Sequence, residues 1–449
     1  MLIDQSEGPY YDSWENLPER ERQESIRQRL QEYIAFSEET TPFYKDRLSA
    51  FDPTSDNPLA KIPLLSASDL RENVPPGGTG LLSNNAQSFT VFQSGGTTGV
   101  PKTSLFTHDE LEGLNLPNAR GFYGCGLKKA DRVANLFAVG GLYMTFVHIN
   151  RMTQQYGCMN FPFSNQTPSD FIRTVADLFK INCFTGITSV VLSCLRDIYE
   201  MGCRDLQVDK IFYGGEHIYP ADMEEMKRKF GTTTICAPGY GTVDTWYLGY
   251  QIEGAEHGVF HAHDDQVYLE IVDEDRVDGS GHPIHCKPGE VGMLYATAYC
   301  RRQTPVVRYR IGDKASWLKD PCPTGRTTPR FKLLGRGDDI LRIGYDSIDY
   351  DFLQQLAAHF PELTATIQME KVRVQGRDKL IVRIESEAGE DDRSNVSSAF
   401  QEKLLEERPS FRDFVKKGTI WPVEVEILDL NTLPTNPRTG KLIRVIDSI

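Results

Sequence analysis

The sequence has no apolar run as long as the roughly 20 residues that a membrane-spanning helix needs. Its best candidate, VANLFAVGGLYMTFVHI over 133–149, is shorter and carries Asn135, Gly140, Gly141, Thr145 and His148. That stretch reads as a buried strand, a turn and the start of a helix. A basic excess is also missing: 49 Lys and Arg stand against 63 Asp and Glu, a net charge of −14. A general nucleic-acid binder needs a basic face to displace counterions, so that class is excluded, although a local pocket can still be positive. No CxxC pair occurs among the nine cysteines, Cys125, Cys158, Cys183, Cys194, Cys203, Cys236, Cys286, Cys300 and Cys322. Their odd number and scatter predict reduced thiols. The opening MLIDQSEGPYYD is acidic and polar, not a secretory signal, which predicts a cytoplasmic protein with no membrane partner. No internal repeat is found.

What is present is an ordinary globular composition, 39% hydrophobic and 25% charged over 449 residues. Ser13 to Leu48 is helical in pattern, and IPLLSASDLREN offers Ser66 or Ser68 as a helix cap. VANLFAVGG, KIFYGGE and TTTICAPGYG each run from β-rich residues into glycine. TPSDFIRTVADLF and YPADMEEMKRKFG read as helices between them, which indicates α/β layers. From Val259 to Asp313 short strands suggest an antiparallel section. After GRGDDILRIG a smaller pattern follows: helix DYDFLQQLAAHF, strands TATIQMEKVRVQG and KLIVRIES, helix SSAFQEKLLEE and strand VEVEILD. The acidic ESEAGEDDRSNVSS reads as a solvated loop. The predicted fold is a large N-terminal α/β domain with layered sheets and a β-rich subdomain, residues 1–337. A small mobile α+β C-terminal domain, 338–449, completes it.

QSGGTTGVPKT, residues 93–103, is the most unusual stretch. Amides of a glycine-rich turn can converge on phosphate oxygens, hydroxyls add donors and a lysine adds charge. It is not a Walker loop, because the lysine follows Gly-Val-Pro. A flexible surface turn would also explain its glycines.

SGGTTGVPK resembles the phosphate-loop signature of the adenylate-forming superfamily: acyl-CoA synthetases, luciferases and peptide-synthetase adenylation domains. GYGTVD (239–244) is similar to that family's aromatic–Gly–x–x–acid motif, and YRIGD (309–313) to its Tyr-Arg-Thr-Gly-Asp motif. GRGDDILRIG (335–344) resembles the hinge, and NPRTGKLIR (436–444) the C-terminal lysine motif. TPFYKDRL, IPLLSASDLREN, LFAVGGL and VVRYRIGD resemble the phenylacetate–CoA ligase branch.

The resemblance implies roles residue by residue. Ser94, Gly95, Gly96, Thr97, Thr98, Gly99 and Lys102 would surround the β- and γ-phosphates. Tyr240 would stack on adenine, with Gly214, Gly215 and Glu216 lining the base and Gly241 beside it. Thr242 is a phosphate contact, and Asp244, where the family has glutamate, a magnesium ligand. Asp313 would accept both ribose hydroxyls. Arg336 lies near ribose and phosphates, whereas Arg310 is an ion-pair partner only. Asp338 is the hinge, with Asp339 the alternative. Lys441 would bridge the acid and the α-phosphate, and with Lys102 and Arg336 forms the implied catalytic set. Phe137, Gly140, Gly141 and Tyr143 resemble the acyl-pocket wall, a pattern that core residues also give. His261 and His263 read either as metal ligands or as loop residues. Without a cysteine between Cys236 and Cys286, no structural zinc is assigned.

The implied activity is ATP-dependent activation of a carboxylic acid, aromatic by resemblance, followed by transfer to coenzyme A. ATP and magnesium are the implied cofactors. An amine, a carrier-protein thiol or a nitrite-derived acceptor, and a non-turnover scaffold, remain as alternatives. The sequence does not fix the oligomeric state, a dimer being one option.

Overall fold

The computed structural model describes residues 8–84, 89–94, 102–216, 218, 220–279, 281–337, 340–343, 346–375, 377–387, 389–436 and 440–448. Two compact units result: Met1–Gly95 with Pro101–Leu334, and a second that includes Gly335–Ile449. The division falls just ahead of Asp338, which with Asp339 lies outside the described residues.

In the first unit, helix α1 (Glu19–Thr40) buries Arg22, Ile26, Leu30, Tyr33, Ile34 and Ser37, a stripe at helical spacing. Helix α2 (Ala67–Asn73) starts at Ser66, not Ser68; Ser66 accepts from the Asp69 amide and Asp69 returns the bond. Strands β1 (Thr90–Gln93) and β2 (Thr103–Phe106) pair antiparallel, so the glycine stretch is a hairpin connection. Helices α3 (His108–Gly113) and α4 (Asn115–Gly124) follow.

Next comes a βα alternation: β3 (Arg132–Asn135), α5 (Thr145–Tyr156), β4 (Met159–Pro162), α6 (Ser169–Phe179), β5 (Cys183–Ile187), α7 (Thr188–Glu200), β6 (Lys210–Gly214), α8 (Pro220–Phe230) and β7 (Thr234–Cys236). The apolar run 133–149 is thus a strand, a turn and a helix start, as read from sequence. The five strands form a parallel sheet in the order β4-β3-β5-β6-β7. Strand side chains alternate between faces, and both faces of this sheet are buried. Val133, Cys183 and Phe212 pack with residues of α4 and α5. Ala134, Phe184 and Ile211 pack with residues of α6, α7 and α8.

The chain then turns to antiparallel structure: β8 (Tyr240–Thr242), β9 (Trp246–Tyr250), β10 (Val259–Ala262), β11 (Val267–Val277), β12 (Pro283–His285), β13 (Val291–Ala298), β14 (Val306–Trp317) and β15 (Arg330–Arg336). They make one eight-stranded sheet, β12-β11-β13-β14-β15-β10-β9-β8.

The second unit holds the hairpin β16 (Ile340–Ile343) and β17 (Asp346–Asp349), helix α9 (Tyr350–Ala357), β18 (Leu363–Val374), β19 (Arg377–Ser386), α10 (Glu390–Glu407), α11 (Pro409–Lys416), β20 (Glu424–Leu428) and β21 (Val445–Asp447). Its four-stranded sheet has the order β20-β19-β18-β21. Its own core includes Leu353, Ile367, Val382, Phe400 and Phe411.

Three sequence readings are corrected. The acidic stretch near 390 is not all loop: α10 begins at Glu390 behind Gly389. Cys125 and Cys236 form a disulfide with Cα atoms 5.8 Å apart, because the end of α4 is brought to β7; the other seven cysteines are free. His261 is not a loop residue but lies on β10, whereas His263 stands in the connection between β10 and β11. Both are buried, and burial holds both imidazoles neutral, down to about 3. His261 contacts Thr328 Oγ1 at 2.9 Å, and His263 contacts Arg120 at 3.1 Å. Arg120 in turn pairs with Asp12 and Asp265, both at 2.8 Å. Among the described residues no helix is long and apolar enough to cross a membrane, and no cluster of three or more metal-ligating side chains occurs.

Candidate active site

The parallel sheet sets the position. From β3 the chain crosses to β4 on one side and then to β5 on the other. Such a switch point opens a crevice at the carboxyl ends of the strands. Residues singled out from the sequence follow those ends. Phe137, Gly140, Gly141 and Tyr143 follow β3; Gly214 ends β6, with Gly215 and Glu216 next; Tyr240, Gly241 and Thr242 follow β7.

The base of the glycine loop is closed by its own ends. The Ser94 amide donates to the Lys102 carbonyl at 2.9 Å, and the Lys102 amide donates to Ser94 Oγ at 2.9 Å. Gln93 N–H donates to Leu142 O at 3.0 Å, which ties this hairpin to the turn carrying Gly140, Gly141 and Tyr143. Gly95, Gly96, Thr97, Thr98 and Gly99 lie outside the described residues.

The Lys102 side chain reaches Asp244, just beyond β8, and the hydroxyl of Tyr309 on β14. Burial disfavours its charge, but Asp244 and Tyr309 outweigh that and hold the ammonium above the ordinary lysine value. Asp244 Oδ1 accepts from Ser104 Oγ at 2.6 Å. The buried Arg301 guanidinium donates to the Asp244 carbonyl at 3.1 Å and to the Leu105 carbonyl at 2.8 Å, locking this turn to the hairpin. The resemblance assigns a metal to Asp244. Its side chain is 1 % exposed and each oxygen already has a partner, so a cation there would have to sit against the Lys102 ammonium.

Tyr240 donates to Asp313 Oδ2 at 2.5 Å, and its ring packs 5.4 Å from Phe260 and 5.9 Å from Phe331. Asp313 lies on β14, the strand that also carries Tyr309. Arg310 pairs with Glu274 at 2.8 Å. Gly241 has no room for a side chain: an added Cβ would stand 2.0 Å from the Trp246 carbonyl oxygen. Gly215 has φ 78°, a left-handed conformation that suits glycine. Glu216 caps α7, since Ser189 N–H donates to its carboxylate at 2.9 Å. The Thr242 hydroxyl lies 3.0 Å from that of Thr245.

Phe137 approaches Gly214, its Cζ 3.7 Å from where a Cβ would be. Tyr143 packs in the same cluster as Phe137. Burial, and then the neighbouring Tyr143 phenol, raise the value of Tyr247 above the ordinary range.

In the second unit Lys441 closes a tight turn. The Asn436 amide donates to the Lys441 carbonyl at 2.7 Å, and Thr435 bridges Leu442. Arg336 ends β15, with its side chain, like Asp338, outside the description. The first unit thus gathers Ser94, Lys102 and Asp244, joins Tyr240 to Asp313, and brings Phe137 against Gly214. Sequence reasoning missed Ser104, Tyr309 and Arg301. Only Tyr309 sat inside a recognised motif.

No protein-family model matches the chain. Among curated proteins it is 23% identical to a phenylacetate–coenzyme A ligase of Thermus thermophilus, over 98% of this chain and 99% of that one. It is 24% identical to the enzyme of the same name from Escherichia coli, over 94% and 93%. The chain is a homologue of phenylacetate–coenzyme A ligases. The fold agrees: 2-hydroxyisobutyryl-CoA ligase in complex with 2-HIB-AMP superimposes with a TM-score of 0.79 at 22% identity, over 99% of this chain and 94% of that one. The same enzyme with 2-HIB-AMP and CoA gives 0.67 at 24% identity, with the same coverage.

Proposed function

We propose that the protein activates an aromatic carboxylic acid with ATP and transfers it to coenzyme A. A carboxylate oxygen attacks the α-phosphorus, the bond to the β-phosphate oxygen breaks, and pyrophosphate leaves with its electron pair. The acyl-adenylate then loses AMP to attack by the thiol sulfur. Magnesium, arriving with ATP, supplies neutralising charge on the phosphates.

The observation that carries this reading is the Tyr240–Asp313 pair beside the Ser94–Lys102 hairpin, both tied through β14. A carboxylate suits the paired hydroxyls of a ribose, and Ser94 and Lys102 would offer a hydroxyl and an ammonium to the phosphates. Lys441 would supply charge to the adenylation transition state, and Asp338 the hinge. Gly215 and Glu216 would border the base, and Thr242 and Arg336 would serve the phosphates.

Phe137 and Tyr143, which pack in one cluster, support an aromatic acid, as do the relatives named for phenylacetate. The structural neighbour named for 2-hydroxyisobutyrate favours a small aliphatic one instead. Burying a ring contributes ~1.5–3 kcal/mol, so aryl acids should exceed small 2-hydroxy acids about 10- to 100-fold in kcat/KM. A panel of both kinds, with thioester detected by mass spectrometry, checks this. A preference for the small hydroxy acids would overturn the aromatic assignment.

A further inference from the structure

Asp244 stands where the resemblance asks for a metal ligand, yet its carboxylate is already committed. Ser104 occupies Oδ1 at 2.6 Å and the Lys102 ammonium occupies Oδ2. A divalent ion on that buried oxygen would sit against the ammonium and repel it. Aspartate is also one methylene shorter than glutamate, which keeps the carboxylate back against Ser104 and Lys102 on the hairpin strands, while Arg301 holds the Asp244 backbone carbonyl.

Lys102 is placed to act on a nucleotide. Its backbone closes the glycine loop on Ser94. Its ammonium also meets Tyr309, which shares β14 with Asp313. The cation therefore lies against the strand assigned to ribose, on a residue whose backbone pairs with Ser94 at the base of the hairpin. An ammonium has three protons. Asp244 and Tyr309 take two among the described residues, which leaves the third for a phosphate oxygen.

We propose that Asp244 is a positioning residue: it anchors the Lys102 ammonium for the nucleotide's phosphates, and it does not ligate the metal. The inference rests on the nucleotide reading above. A lysine stem ordered before binding does not have to be ordered during it, which favours association. Magnesium is then held through phosphate oxygens and water, a common arrangement for that ion.

Equilibrium binding of ATP, measured by calorimetry with magnesium and again in chelator, separates the two roles. Wild type, Asp244→Asn, Lys102→Met and the double variant are compared, each checked for folding by its melting curve. Each single change should weaken magnesium–ATP and metal-free ATP by the same factor, about tenfold. The double variant should bind no worse than the weaker single, because both changes break one interaction. Ser104→Ala removes only a hydroxyl and should give a smaller loss, again equal for both forms. The anchor is overturned if Asp244→Asn or Ser104→Ala weakens magnesium–ATP alone, or if the losses of Asp244→Asn and Lys102→Met add in full. Wild-type protein that binds neither form would instead remove the nucleotide reading, and the anchor with it.

Discussion

Lys441→Ala should lower acid-dependent ATP–pyrophosphate exchange about 10²- to 10³-fold while leaving ATP affinity within a few-fold of wild type. The expected loss is that of one charged contact made only in the transition state, ~2.7–4 kcal/mol. As the acid attacks, negative charge builds on the α-phosphate, and a lysine ammonium can stabilise it there. In the ground state proposed above, Ser94 and Lys102 would serve the triphosphate without Lys441, so binding should persist. The Asn436–Lys441 turn holds the lysine's backbone through a hydrogen bond that alanine would also accept, so the local structure should survive. Exchange at the wild-type rate in this variant would remove Lys441 from the reaction.

Asp313→Ala should weaken ATP roughly 100-fold or more. Two hydrogen bonds from ribose hydroxyls to a carboxylate contribute ~1.5–3 kcal/mol each, and each 1.4 kcal/mol is a factor of about ten. The change also strips Tyr240 of the acceptor that orients its ring, at 2.5 Å in this structure. The effect should appear with magnesium–ATP and with AMP alike, because the ribose is common to both. The apparent affinity for the acid should move little. A change in AMP affinity of less than about threefold would mean that Asp313 does not meet the sugar.

The elements that carry these residues were largely legible in the sequence, because their signals are local. TPSDFIRTVADLF and YPADMEEMKRKFG hold helical periodicity within a dozen or so residues, and both became helices where read. The β-rich runs that reach glycine became β3, β6 and β7, and their ends converge on the site. The failures share a cause, a contact set by distant parts of the chain. Ser104 is an ordinary strand residue until the fold brings Asp244 to it across 140 positions. Arg301 gives no local hint that it will be buried under the same turn. Cys125 and Cys236 are 111 residues apart and share no motif. The start of α10 was missed for a different reason: its acidic residues read equally well as a solvated loop.

The Lys102–Asp244 pair shows how far a motif match reaches. The resemblance located both residues and assigned each a separate partner. The fold brings the two together, and the buried carboxylate has Ser104 on its other oxygen. Position within a motif located the two residues, while the proposed role rests on what surrounds the side chain.

The most direct test of the central claim is isotope exchange between labelled pyrophosphate and ATP, run without coenzyme A over a panel of aryl and aliphatic acids. Label should enter ATP only when an acid is present, and an acyl-adenylate should be detectable by mass spectrometry in the same mixture. Folded protein that binds ATP yet shows no exchange with any acid, or exchanges equally well with none, would contradict the account.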